Sequence, residues 1–214
     1  MSDESEGKLD ASVGEALMNW HTVEFALCCI FEFYVARKKS ADGPTVAAEA
    51  FWSLEGFGPR LRMTDAVVKY AESDPDARRG WDRLAERIRR TSTQRNALAH
   101  GSKAMVFSSD RKESRFVLLR RQSASIPERS NVLEAHEINR MGENFGELGA
   151  DLMIYWHRRQ GLPEFERTIQ EAREHRRNNP HLKLKGGRSI RVLVESAEGS
   201  QGDRSDAPLA EDRD

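Results

Sequence analysis

The chain has 214 residues, 38% hydrophobic and 32% charged, with 34 Lys and Arg against 35 Asp and Glu. That length fits one domain with an appendage and is enough to bury a core without staples. Balanced charge excludes a whole-protein basic field that holds nucleic acid by itself, so any phosphate contact must come from a local patch. The two cysteines, Cys28 and Cys29, are adjacent. On a helix their side chains diverge by about 100°, a poor disulfide geometry, and they read as small core residues. Residues 1–7 are acidic and polar, unlike a signal peptide. No apolar run approaches the roughly 20 residues of a membrane span, so a cytoplasmic protein with no membrane partner is expected.

Residues 11–38 read as the first long helix. Val13, Leu17, Trp20, Leu27, Phe31 and Tyr34 recur at steps of three and four, and Glu24 occupies the same register. Val23, Ile30 and Phe33 form a second apolar flank, which makes this helix central. Asp42-Gly43-Pro44 ends it. Shorter helices follow at 45–54, with Val46, Ala50 and Phe51, and at 60–71, with Leu61, Val67, Val68 and Tyr70; Gly56-Phe57-Gly58-Pro59 separates them.

Ser73-Asp74-Pro75 is a helix-start signal, a capping residue before proline. The helix it opens runs over 76–99, with Trp81, Leu84, Ile88, Thr91, Arg95 and Leu98 on one stripe and Gly101 as its stop. Two apolar runs, 104–107 and 115–119, flank a polar stretch and predict a β-hairpin over about 103–122. A last long helix over 133–159 carries Ile138, Met141, Phe145, Leu148, Leu152 and Tyr155 or Trp156. Gly161-Leu162-Pro163 closes it. The expected organisation is a helical bundle over 8–162, a charged helical extension over 163–185, and a polar tail over 186–214 that lacks the apolar residues to offset ordering entropy.

Polar residues converge against expectation at one place, Arg95-Asn96-Ala97-Leu98-Ala99-His100-Gly101. Arg95 lies in an apolar stripe, and its guanidinium cannot shed its charge. It needs a carboxylate, a phosphate or an aqueous opening. Asn96 and His100 are four apart and share a helix face. Glu24 interrupts the stripe of a neighbouring helix, so a structural Glu24–Arg95 ion pair is one outcome, and His100 as a plain helix-end cap is another. Arg78, Arg79, Arg83, Arg87, Arg89 and Arg90 precede the motif on the same helix. Arg87, Arg89 and Arg90 are candidate substrate-binding residues along a backbone path, against the alternative of a solvated face balanced by Asp82 and Glu86. A second basic stretch spans 175–188. No Cys/His spacing suggests a metal, His21, His136 and His157 are scattered, and Trp20, Trp52, Trp81 and Trp156 read as core.

The segment Arg95–His100 resembles the signature of the HEPN superfamily: an arginine, a polar neighbour, and a histidine after four to six intervening residues, here four. The run Trp20-His21-Thr22-Val23-Glu24 also resembles the start of several uncharacterised HEPN-like bacterial proteins. The resemblance spans about 11–159, and its specific part is seven residues long. It implies an all-α fold, an antiparallel HEPN-like helical bundle, into which the pattern over 103–122 places a small β-hairpin insertion between the third and fourth major helical segments. It implies a homodimer that brings two motifs together across a cleft, and metal-independent RNA cleavage with no cofactor. Arg95 and His100 would be catalytic and Asn96 their support, in a defence or toxin-like role. Antitoxin restraint is a further alternative. Other members of the superfamily bind nucleotides, RNA or proteins without cutting, so a non-catalytic binding scaffold stands as the alternative from a different class.

Overall fold

A computed structural model describes residues 2–36, 45–107, 114–120 and 132–178. The expected tail over 186–214 and most of the second basic stretch lie outside the described residues. Six helices and three short strands follow one another as α1 (Ser2–Ala36), α2 (Val46–Ser53), α3 (Phe57–Ala71), α4 (Pro75–Ala99), β1 (Ser102–Phe107), β2 (Ser114–Leu119), β3 (Val132–Leu133), α5 (Ala135–Arg159) and α6 (Pro163–Asn178). The chain is mostly helical, as expected, with the sheet confined to one antiparallel insertion between α4 and α5. No helix among the described residues is long and apolar enough to cross a membrane.

The central helix is α1. Trp20, Val23, Leu27, Ile30 and Phe31 are buried on it, and α5 is the element it packs against most extensively. Trp20 meets Phe57 of α3 and Phe145 of α5 edge-on, with ring centroids 4.8 and 5.2 Å away. Edge-to-face pairs of this kind add to area burial. The helix begins at Ser2, nine residues before its expected start at residue 11. Its acidic first turns are held by Lys8 on Glu4 and by Lys103 of β1, whose Nζ lies 2.6 Å from Glu6 and 3.1 Å from Asp10.

Close approach of α1 and α5 rests on small residues. Gly142, Gly146 and Gly149 of α5 face Ala16, Asn19 and Thr22 of α1. A Cβ at Gly142 would stand 3.1 Å from the Ala16 Cα, and one at Gly149 would overlap the Thr22 hydroxyl. Asn19 fastens the seam, donating from Nδ2 to the Gly142 carbonyl at 3.1 Å. At Gly146 a Cβ would meet only Asn19 atoms, at an ordinary 3.9 Å.

Local signals account for most boundaries. Thr45 caps α2 through its hydroxyl, Asp74 caps α4 with Pro75 at the first position, and Glu134 and Glu137 form a capping box at α5. Gly161 takes a φ of 73° just past α5. Two boundaries correct the sequence expectation. Phe57, Gly58 and Pro59 belong to α3, because proline is tolerated in a first turn, and Phe57 is buried there while Tyr70 is exposed. Leu133, read as the start of the last long helix, lies instead with Val132 in a third strand, where the two pair with Leu118 and Leu119. Gly101 stops α4 by close approach and not by a left-handed φ: a Cβ there would stand 2.7 Å from Leu118 Cγ and 2.8 Å from the Ala97 carbonyl. The extension α6 docks on α5, with Ile169 buried and Arg173 bonded to Glu147 and Asp151 at 2.9 and 2.7 Å.

At the far end of α1 a buried polar lock joins three elements. The Tyr34 hydroxyl bonds Glu72 and lies 2.9 Å from the Tyr155 hydroxyl, while Arg159 Nε reaches Glu72 at 2.8 Å. Burial raises the Tyr34 pKa and pushes Tyr155 up to about 12. Cys28 and Cys29 are free and buried, and desolvation pushes both thiols up to about 12.

Two predictions follow from this packing. Gly146→Ala should stabilise the fold by up to about 1 kcal/mol through helix propensity, whereas Gly149→Ala should destabilise it by about 1–2 kcal/mol through overpacking, as measured by urea unfolding. Because the Cys28, Cys29 and Tyr155 values are raised in the folded state, their contribution is complete below the unfolded values near 8.5 and 10 and is lost as pH climbs toward 12. The urea midpoint should therefore fall between about pH 9 and 12, and less so in a Cys28→Ala, Cys29→Ala double variant.

Candidate functional site at the end of helix α4

A buried carboxylate on the central helix organises the site. Glu24 is 8% exposed, and its two oxygens are claimed from different directions. The Trp20 indole N–H, one turn earlier on α1, donates to Oε1 at 2.7 Å. Arg60, in the first turns of α3, donates from Nη1 to Oε2 at 2.9 Å and from Nη2 to the Trp52 carbonyl at 3.2 Å. Its guanidinium carbon lies 4.8 Å from the Trp52 ring centre and 5.7 Å from that of Phe51. A cation in this position gains from both the carboxylate and the ring faces.

Arg95 approaches the same carboxylate from α4. Its Nη2 stands 3.6 Å from Glu24 Oε1, an ion-pair distance that is too long for a hydrogen bond. Its Nη1 meets Asn96 Oδ1 at 3.3 Å, and its side chain is 29% exposed. The expected Glu24–Arg95 pair is therefore present, but Arg60 is the stronger partner. Two guanidinium charges against one carboxylate leave the cluster with one positive charge in excess. The Nε donors of both arginines are buried without a hydrogen-bond partner, so neither guanidinium is fully used internally.

Asn96 and His100 are both exposed at the same helix end. His100 is the C-cap residue of α4, with φ −116° and ψ 10°, and its backbone N–H bonds the Asn96 carbonyl at 3.0 Å. Its side chain makes no hydrogen bond or ion pair with another described residue. Directly beyond it Gly101 admits Leu118 of β2, which fixes the junction of helix and sheet. The structure thus places Arg95, Asn96 and His100 at one end of α4, with Arg95 turned toward Glu24 of α1 and no hydrogen bond between the Arg95 and His100 side chains.

The three candidate substrate-binding arginines upstream on α4 have partners. Arg87 pairs with Asp151 of α5, Arg89 with Asp65 of α3 at 2.9 Å and Glu86 at 3.6 Å, and Arg90 with Glu86 at 2.9 Å. They form a charge-balanced surface, with their side chains 45%, 47% and 78% exposed. Exposed pairs of this kind are weak enough to exchange for another anion. Asp65 also takes the Trp81 indole N–H at 2.9 Å, so Arg89 belongs to a tie between α3 and α4. Among the described residues no group of three or more His, Cys, Asp or Glu converges to hold a metal ion.

Arg60 is the site residue that sequence reasoning missed. Glu24 on an apolar stripe signalled that a cation was needed, but Arg60 lies beside Arg62 in a short helix whose apolar pattern does not single it out. Trp20 was read as core, which it is at 2% exposure, but its indole N–H also orients the carboxylate. Removing that carboxylate leaves two guanidiniums without a counter-ion. Glu24→Gln should cost about 3 kcal/mol in urea unfolding, whereas Arg95→Ala, which removes a half-exposed and loosely held partner, should cost about 1 kcal/mol or less. Equal costs would mean that Arg95 is a structural ion-pair member like Arg60. Compared with protein-family models, with curated proteins and with solved structures, the chain matches none.

Proposed function

We propose that the end of α4 is a phosphate-binding site for RNA, and that the protein is a HEPN-type, metal-independent endoribonuclease. One observation carries the reading. Glu24 is already hydrogen-bonded by Trp20 and Arg60, so Arg95 is held there by charge and by one long hydrogen bond to Asn96, and keeps most of its donors for an external anion. A guanidinium in that state suits a phosphodiester, since it can offer paired N–H groups without first losing a strong internal bond. The exposed Asn96 amide beside it adds a neutral donor, and His100 supplies a titratable group at the same helix end.

The chemistry that fits these groups is attack by the ribose 2′-oxygen on the adjacent phosphorus. A bond forms between the 2′-oxygen and phosphorus, and the bond from phosphorus to the 5′-oxygen of the next nucleotide breaks. One imidazole takes the hydroxyl proton, and another delivers a proton to the leaving oxygen. Arg95 balances the charge that builds on the phosphoryl oxygens. Each chain carries one His100 at its motif, so the proposal includes a homodimer in which a second copy completes the acid–base pair. A defence or toxin-like role with an antitoxin partner belongs to the same proposal.

A second reading, a non-catalytic HEPN-like scaffold that binds RNA or a nucleotide, is favoured by one feature. No described residue orients the His100 ring, and catalytic imidazoles are ordinarily fixed by a second hydrogen bond. The two readings separate in one assay. Wild type and His100→Ala are incubated with mixed RNA in excess chelator, and the ends are characterised. Chelator-resistant cleavage that leaves cyclic phosphate ends, and that falls by about a hundredfold or more in the variant, is expected. RNA binding that depends on Arg95, without cleavage, would establish the scaffold instead.

A further inference from the structure

Trp52 departs from the expectation that every tryptophan is core. Trp20 and Trp81 are fully enclosed, but Trp52, in the last turn of α2, is only half-buried. It packs edge-on against the buried Phe51 ring, with centroids 5.1 Å apart and planes 85° from parallel, which fixes its orientation. The Arg60 guanidinium lies over the ring, and His21 of α1 stacks on it with centroids 6.2 Å apart and planes 29° from parallel. His21 itself is exposed, and sits three residues before Glu24 on the same helix. Arg60 touches both Trp52 and Glu24, and Glu24 touches Arg95. An open aromatic surface and a cluster with excess positive charge therefore share one arginine.

We propose that His21, backed by Trp52, is a base-stacking subsite for the nucleotide next to the phosphate held at Arg95, and that the ligand is single-stranded RNA. This inference rests on the phosphate-binding reading given above and adds the class of nucleic acid. In a duplex each base is already stacked within its own helix, whereas an unpaired base has a free face to lay on an aromatic ring. Stacking on a ring face is open to every base, so the subsite is tolerant of sequence. Phe25, one turn after His21 on α1 and 49% exposed, extends the apolar rim of the same helix.

The test uses a fluorescently labelled oligonucleotide of 2′-O-methyl RNA, which keeps bases and phosphates but cannot be cut, and a matching set with one base removed at each position in turn. Binding to the full-length protein is followed by anisotropy. Removing one base should weaken wild-type binding roughly tenfold. His21→Ala should lose the same factor on the intact ligand and nothing further on the weakest abasic one, and His21→Phe should restore the loss. Arg95→Ala should weaken both ligands. If base removal and His21→Ala are without effect while Arg95→Ala still weakens binding, the stacking subsite is wrong and the phosphate site stands. Equal and additive losses from His21→Ala on intact and abasic ligands would also overturn stacking. A wild type that fails to bind, or an Arg95→Ala variant that binds as well as wild type, would remove the phosphate site and the subsite with it.

Discussion

A single carboxylate inside the bundle sets the terms for everything around it. Glu24 lies in the apolar register of α1, where an ionised group without partners would be prohibitively costly. Trp20, Arg60 and Arg95 converge on it from one turn earlier, from α3 and from α4. The first two make hydrogen bonds and consume both oxygens. The third meets the carboxylate by charge alone, at 3.6 Å. That ranking decides which part of the cluster is structural and which part can face a ligand.

The scaffold holds this arrangement through features far from it. Small residues along the α1–α5 seam bring the two long helices close, and the Tyr34–Glu72–Arg159 lock pins the opposite end of α1 to the α3–α4 corner and to α5. Between those points α1 has little freedom to rotate, so the direction of the Glu24 side chain is set by packing. The sheet plays a similar part for α4. Leu118 fills the space above Gly101, and the helix must stop where His100 is left at the surface. Rigid supports of this sort hold a site's side chains in register without contacting a ligand.

Much of this was legible in the sequence, for reasons that differ by element. The α1 and α5 stripes and the Asp74-Pro75 start carry strong local signals, and the hairpin announces itself by a change of period. What escaped depends on tertiary context. Residues before 11 precede the apolar stripe, and what holds Glu6 and Asp10 onto the fold is Lys103 of a distant strand. Leu133 reads as the start of α5 and is a strand residue only because β2 offers an edge. The Gly142–Gly146–Gly149 spacing of four and three was visible, but its meaning required knowing that Ala16 and Thr22 lie opposite. For the site, Glu24, Arg95, Asn96 and His100 stood out as polar residues in awkward or terminal positions. Arg60 did not, since a basic residue in a first helical turn has no periodicity to violate.

The molecule is a helical protein in which a buried carboxylate with two arginines reaches partly exposed surface near an exposed imidazole. The account depends on the 2′-hydroxyl of an RNA strand meeting those groups. An oligodeoxynucleotide with one ribonucleotide at its centre, incubated with the protein in excess chelator and analysed by mass spectrometry, tests that most directly. The account predicts a single cut on the 3′ side of the ribonucleotide, leaving a cyclic phosphate. Cuts at deoxynucleotides, ends bearing a 3′-hydroxyl, or an intact strand would contradict it.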